Sequence, residues 1–212
     1  MRLGVPRSTF DAFMRRRREQ LAATLLDALQ PPSASSCLEL GGPTPYLEIA
    51  QRFGTYIVLN LSAYSLSTCA GLSGYGATRP VLADATRVPF ADGAFDYVVS
   101  NSLIEHVPPA LRGRLAVEMR RVARRGYFLS APNYWFPLEP HYQMPIFQFL
   151  PERLKHAIVQ RQRVGHIWRD GYEPISLVTR RELQRLFPEA TLGGLSFSKL
   201  LAETLYAWHI VP

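Results

Sequence analysis

The run Phe95-Asp96-Tyr97-Val98-Val99-Ser100-Asn101, then Pro109 to Ala123, then Tyr127-Phe128-Leu129-Ser130-Ala131 decides the fold. The outer runs are short and dense in β-branched and aromatic residues, and so read as buried strands. Between them Leu111, Leu115, Met119 and Val122 recur every three or four residues, the period of an amphipathic helix. A strand, a helix and a second strand at this spacing form a parallel pair joined by a right-handed crossover. The pattern extends upstream. Cys37-Leu38-Glu39-Leu40 is a short strand ending in Gly41-Gly42, and Tyr46 to Phe53 is helix-like. Tyr56-Ile57-Val58-Leu59-Asn60 is a β-branched strand and Val81-Leu82-Ala83 another. Such alternation predicts an α/β domain with a parallel sheet.

Toward the N-terminus, Phe10, Phe13, Met14, Leu21, Leu25, Leu26 and Leu29 mark an amphipathic helix from Ser8 to Leu29, stopped by Pro31-Pro32. Its Arg15-Arg16-Arg17-Arg18 run points in about four directions around the axis, as consecutive helical residues must. That describes a solvated outer face, with contact to an anionic membrane, RNA or a partner left open. Beyond Pro132 come Pro137, Pro140, Pro145 and Pro151 among Tyr134, Trp135, Phe136, His141, Tyr142, Phe147 and Phe149. So many prolines forbid a long helix while the rings must pack, so the segment reads as a cover over one end of the sheet. Helices follow near Glu152 to Arg163 and from Thr179 to Phe187, the second opened by a capping box of Thr179 and Glu182. The tail, Thr191 to Val211, reads as two strands around Gly193-Gly194 and Lys199 to Glu203, an antiparallel pair at the sheet edge.

The 212 residues suit one domain, divided into a helix or lid (1–32), a core (37–131), an insertion (132–178) and a C-terminal helix and strand pair (179–212). At 47% apolar residues the chain can bury a full core, which excludes disorder and a disulfide-stapled miniature. The net charge of +7 is nearly all arginine, since Lys155 and Lys199 are the only lysines. Its dense runs, Arg15 to Arg18 and Arg120 to Arg125, lie away from the strand ends, so nucleic acid is not the expected partner. Cys37 and Cys69 read as small core residues in a reducing compartment. With neither a signal peptide nor 18 uninterrupted apolar residues, a soluble cytoplasmic protein is expected.

In an open parallel sheet, ligands bind outside the carboxyl ends of the strands, here Glu39 to Pro45, Asn60 to Ser62, Asp84-Ala85, Asn101 to His106 and Ala131 to Asn133. Leu38-Glu39-Leu40-Gly41-Gly42 carries part of a resemblance. The rest lies in Asp84-Ala85-Thr86-Arg87-Val88-Pro89-Phe90-Ala91-Asp92-Gly93-Ala94-Phe95-Asp96 and Val98-Val99-Ser100-Asn101-Ser102-Leu103-Ile104-Glu105-His106-Val107. Together they resemble class I S-adenosylmethionine-dependent methyltransferases of the small-molecule, type 11-like kind. The resemblance implies a Rossmann-like three-layer sandwich, its seven-stranded sheet mostly parallel with an antiparallel C-terminal edge pair. It implies S-adenosyl-L-methionine as methyl donor, S-adenosyl-L-homocysteine as product, and a small-molecule acceptor methylated on oxygen or nitrogen. Glu39, Gly41 and Gly42 would surround the methionine part, Asn60 and Leu61 the ribose, Asp84 and Ala85 the adenine, and Asn101 the region near the sulfonium.

Two features depart from the family pattern. Pro43 and Pro45 stand where further glycines are usual, and proline removes an N–H, so this loop is not a pyrophosphate nest. That argues against NAD more than against a cofactor presenting one carboxylate there. Asn60 replaces an acidic residue, and its amide can accept from one ribose hydroxyl and donate to another. A methyltransferase-like domain that binds a partner through its basic helix, and an RNA methyltransferase, are the alternative readings.

Methyl transfer from a sulfonium needs mainly proximity, and a base only where the acceptor must lose a proton. His106 is the first candidate base, and otherwise a packing histidine beside Glu105; His141 is the second, and otherwise an ordinary loop residue. Tyr134, Trp135, Glu139, Tyr142 and Trp168 either line an acceptor pocket or form the cover's own core. Val5-Pro6 and the first helix can close the same cavity. His156, His166 and His209 have no metal-ligand spacing, and no metal is expected.

Overall fold

Alternate residues along each strand belong to different cores, which is why the sheet is covered on both faces. Cys37, Val58, Tyr97, Val99 and Phe128 face one way, and Leu38, Leu40, Leu59, Val98, Tyr127 and Leu129 the other. The computed structural model describes residues 7–42, 47–70, 78–142, 144–162, 175–196 and 204–211. Five strands run parallel: β1 (Ser36–Leu40), β2 (Thr55–Asn60), β3 (Thr78–Leu82), β4 (Phe95–Asn101) and β5 (Ala123–Pro132). A small hairpin pairs β6 (Leu138–Glu139) with β7 (Met144–Pro145). The last strands, β8 (Thr191–Leu195) and β9 (Thr204–Ile210), are antiparallel, giving the sheet order β3-β2-β1-β4-β5-β9-β8. The order reverses between β1 and β4, and ligand crevices form at such switch points.

On the first face lie α1 (Arg7–Leu29), α2 (Leu47–Ala50) and α3 (Ala63–Ala70). Leu21, Leu25 and Leu29 of α1 recur every four residues and are buried there with Ile49 and Leu66. On the second face, α4 (Arg112–Val122) buries Leu115, Ala116, Met119 and Val122, and α6 (Arg180–Leu186) buries Leu183. Between these helices in sequence, α5 (Glu152–Gln162) packs Val159 against Tyr142 and Phe147 in a separate small core. Among the described residues no helix is long and apolar enough to cross a membrane.

The α/β reading and the antiparallel terminal pair match this architecture. Its details differ. The helix α3 follows a serine-rich stretch of weak helix formers; Ser62 starts it by accepting from the Ser65 N–H at 3.3 Å, and Leu66 supplies its buried contact. Thr179 caps α6 as expected, accepting from the Glu182 N–H at 3.2 Å. Glu182 does not close the box, because its carboxylate accepts from buried Arg112 at 2.7 Å. The last strand begins at Thr204, and Lys199 to Glu203 lie outside the described residues, as do Val5-Pro6, Pro43, Pro45, His166, Trp168 and the Cys69 side chain.

Candidate active site

The turn after β1 is fixed by glycine. Gly41 has φ +87°, and a side chain there would place its Cβ 2.8 Å from Leu103 Cβ; at Gly42 it would lie 2.6 Å from Val58 Cγ1. The Asn60 amide holds this turn by donating to both the Gly41 carbonyl, at 2.9 Å, and the Gly42 carbonyl, while its Oδ1 accepts from the Ser62 N–H at 2.8 Å. A carboxylate could not donate to those carbonyls. The asparagine therefore ties the two strand ends together where a carboxylate would repel them.

Behind the turn, Glu39 is buried and accepts from the Tyr56 hydroxyl at 3.0 Å. With Leu21, Leu25, Ile49, Ser100 and Asn101 it lines a crevice of about 250 Å³ at the carboxyl ends of β1, β4 and β5. Asn101 Oδ1 accepts from Ser130 Oγ at 2.7 Å. Two residues of the α1 stripe thus wall the same space as the strand-end residues. Asp84 lies on the surface, its Oδ1 accepting from the Thr86 N–H at 2.8 Å and hydroxyl at 2.9 Å; Ala85 is buried beneath it, and Leu61 is exposed.

A second cluster forms where the end of β4 meets the insertion. Ile104–His106 make one 3-10 turn, which buries Glu105 and leaves His106 exposed. The His106 and His141 rings meet edge to face with centroids 5.2 Å apart. His141 Nδ1 lies 2.7 Å from Glu139 Oε1, and Glu139 Oε2 accepts from the Tyr142 N–H at 2.6 Å. Its other ring nitrogen stands 3.9 Å from Glu105 Oε1. Burial pushes the Glu105 carboxyl above its ordinary range, against the opposing influence of His141, His106 and Arg17 of α1.

The fold thus brings both candidate histidines together, along with Glu105, which sequence reading used only as a neighbour of His106. The signal lay in the Glu105-His106 pair itself, but its partners are about 35 residues away in a proline-rich segment with no periodicity. The aromatic residues divide. Tyr142 belongs to the cover's own core and, with Glu139, Gln148 and Lys155, lines a cavity of about 220 Å³. Tyr134 and Trp135 meet edge to face at 5.0 Å, with Trp135 60% exposed, on the outer surface.

The arginines from Arg120 to Arg125 are structural. Arg121 donates to the Val88 and Phe90 carbonyls and to Glu118 and Asp92. Arg124 and Arg125 both reach Asp96, because the register of β5 gains a residue opposite Phe95 to Tyr97. Arg120 donates to the Leu186 carbonyl and lies over the Phe187 ring. This run of charge is a set of clamps rather than a binding stripe.

Residues 38–130 match the family described as a methyltransferase domain. Over 80 residues the chain is 41% identical to the demethylmenaquinone methyltransferase of Beutenbergia cavernae, covering 34% of this chain and 32% of that protein. The chain spans about a third of the length of the curated relatives it matches. Its fold is shared with magnesium protoporphyrin IX methyltransferase from Synechocystis PCC 6803 with bound S-adenosylhomocysteine (TM-score 0.61, 10% identity, 93% of this chain and 82% of that one). It is shared too with geranyl diphosphate C-methyltransferase from Streptomyces coelicolor A3(2) in complex with Mg2+, geranyl diphosphate and S-adenosyl-L-homocysteine (0.59, 16%, 98% and 86%). Residues 38–130, which carry the glycine turn and the switch-point crevice, are thus similar to a methyltransferase domain, and the chain shares the fold of methyltransferases solved with S-adenosylhomocysteine.

Proposed function

We propose that the protein binds S-adenosyl-L-methionine across the carboxyl ends of β1, β2 and β4 and methylates an oxygen or nitrogen of a small molecule admitted beside the insertion. The observation that carries this reading is the glycine turn at Gly41-Gly42, shaped for close approach and opening on a crevice lined by Glu39 and Asn101. These residues fit the group: Glu39 would accept from the methionine ammonium, Asn60 and Leu61 would adjoin the ribose, and Asp84 with Ala85 the adenine. The cofactor supplies an activated methyl with a good leaving group, so the chain's task is positioning. The crevice lies at the carboxyl ends of β1, β4 and β5. Leu21 and Leu25 of α1 wall it, so admitting the cofactor means drawing α1 outward.

His141 is held by Glu139 and faces Glu105 and His106, an arrangement that takes a proton from an acceptor hydroxyl or amine. Trp135, with Tyr134, supplies an aromatic surface for a flat acceptor, in keeping with the demethylmenaquinone for which one relative is named. Incubation with deuteromethyl-labelled cofactor and a panel of phenols, amines and quinols, read by mass spectrometry, tests the reading. Labelled product is expected, with His141→Gln lowering turnover far more than cofactor affinity. Equal loss of both would assign His141 a structural role, and label on carbon alone would overturn the choice of oxygen or nitrogen.

One observation favours a second reading, a domain that binds partners without catalysis. The Asn60 amide is already engaged by the Gly41 and Gly42 carbonyls. Methyl turnover rejects that reading, and a stable stoichiometric complex without turnover supports it.

A further inference from the structure

Three groups of metal-ligating type converge where sequence spacing predicts none. One ligand atom each from Glu105, His106 and His141 lies within 4.8 Å of the other two. Bonds of about 2.0–2.2 Å put ligand atoms roughly 3.3 Å apart in a tetrahedral shell, so closing the set needs side-chain shifts of about 1 Å. His106 is exposed.

Two further observations point to a cation. The Glu105 carboxylate is 99% buried, and among the described residues neither oxygen has a hydrogen-bond partner; His141 at 3.9 Å is beyond hydrogen-bond reach. A buried carboxylate left this way is costly, and a cation relieves it. In addition, the His141 Nδ1 contact with Glu139 leaves Nε2 facing Glu105. That is the arrangement of a metal-ligating histidine whose second nitrogen donates to an outer carboxylate, here itself fixed by the Tyr142 N–H.

We infer that Glu105, His106 and His141 form a binding site for a divalent first-row transition ion, with Glu139 as the positioning residue behind His141. Two imidazoles and one carboxylate suit Zn2+, Mn2+ or Fe2+ and disfavour Ca2+ and Mg2+, which prefer all-oxygen shells. Three protein ligands leave positions open for water or, if the methyltransferase reading holds, for an acceptor oxygen. An imidazole nitrogen that holds an ion has no lone pair for a proton. The loaded site therefore acidifies the acceptor through the ion, as an alternative to the histidine base above.

The test is ion binding by the chain without cofactor or acceptor, so that its failure is separate from failure of methyl transfer. Chelator-treated protein is titrated with Zn2+ alone by calorimetry, and Co2+ loading is followed by visible absorption. One ion per chain is expected. His106→Ala, at an exposed position compatible with folding, and Glu105→Gln should each abolish the Co2+ band. Glu139→Gln should weaken Zn2+ binding about 10–100-fold without changing its stoichiometry. Absence of stoichiometric binding, or binding unchanged in both His106→Ala and Glu105→Gln, overturns the proposal.

Discussion

The loop from Asp84 to Asp96 runs from the carboxyl end of β3 to the amino end of β4, the insertion from Asn133 to Leu150 lies beyond the carboxyl end of β5, and the two differ in how completely their polar groups are paired. In the loop each polar anchor is matched. Val88 N–H donates to Glu118 at 2.7 Å, the Phe90 carbonyl and Asp92 accept from Arg121, and Asp96 accepts from the Ser36 N–H and hydroxyl and from Arg124. Facing the insertion, both Glu105 oxygens, and within it Gln148 Oε1, are buried without hydrogen-bond partners among the described residues. The motif that identifies the family therefore holds the scaffold in register. The proposed chemistry is placed where such pairing lapses, since an unpaired buried polar atom calls for an explanation and a ligand supplies one.

That contrast predicts loss of stability in the loop and change of function near the insertion. Asp96→Ala removes the acceptor that joins β1, β4 and β5, and should lower unfolding free energy by about 3 kcal/mol in a urea titration. A cost below about 1 kcal/mol would break the contrast. Burial would raise the Asp96 carboxyl, but the Arg124 hydrogen bond, the Ser36 donors and the Arg124 charge outweigh it and bring it to about 2, against 3.8 ordinarily. A group lowered on folding stabilises above its unfolded value and loses that contribution as pH falls. Between pH 4 and 2 wild type should thus lose about 1–2 kcal/mol that Asp96→Asn does not, allowing for screening at half-exposed Arg124 and Arg125.

Glu105→Gln removes a buried carboxyl that has no hydrogen-bond partner among the described residues, and should raise stability at neutral pH by about 1 kcal/mol in the metal-free chain while abolishing ion binding. A destabilised variant would mean that the carboxylate is held by partners beyond His141. Smallest is Trp135→Ala, at an exposed ring, which should shift stability by less than about 0.5 kcal/mol and act instead on the KM for an aromatic acceptor. An unchanged KM would mean that the acceptor does not rest on Trp135.

The sheet was legible because its residues obey period two and three-to-four rules that act locally. Cys37 to Leu40 and Phe95 to Asn101 announce strands whatever surrounds them, and the bounds differ from observation by a residue or less. The site was legible only in part. The glycine turn could be read, since a left-handed φ at Gly41 is a backbone demand that sequence expresses directly. The Glu105, His106 and His141 cluster could not, because two distant segments meet through tertiary packing that leaves no spacing to detect. Nor could the engagement of Asn60, whose side chain stands at the expected position yet bonds the protein's own carbonyls.

Calorimetric titration of the whole chain with S-adenosyl-L-methionine and S-adenosyl-L-homocysteine tests the central claim most directly. The account predicts saturable one-to-one binding of both, lost in Gly41→Val, where the side chain would meet Leu103, and weakened in Glu39→Ala. Binding of neither ligand to the folded wild type would contradict it.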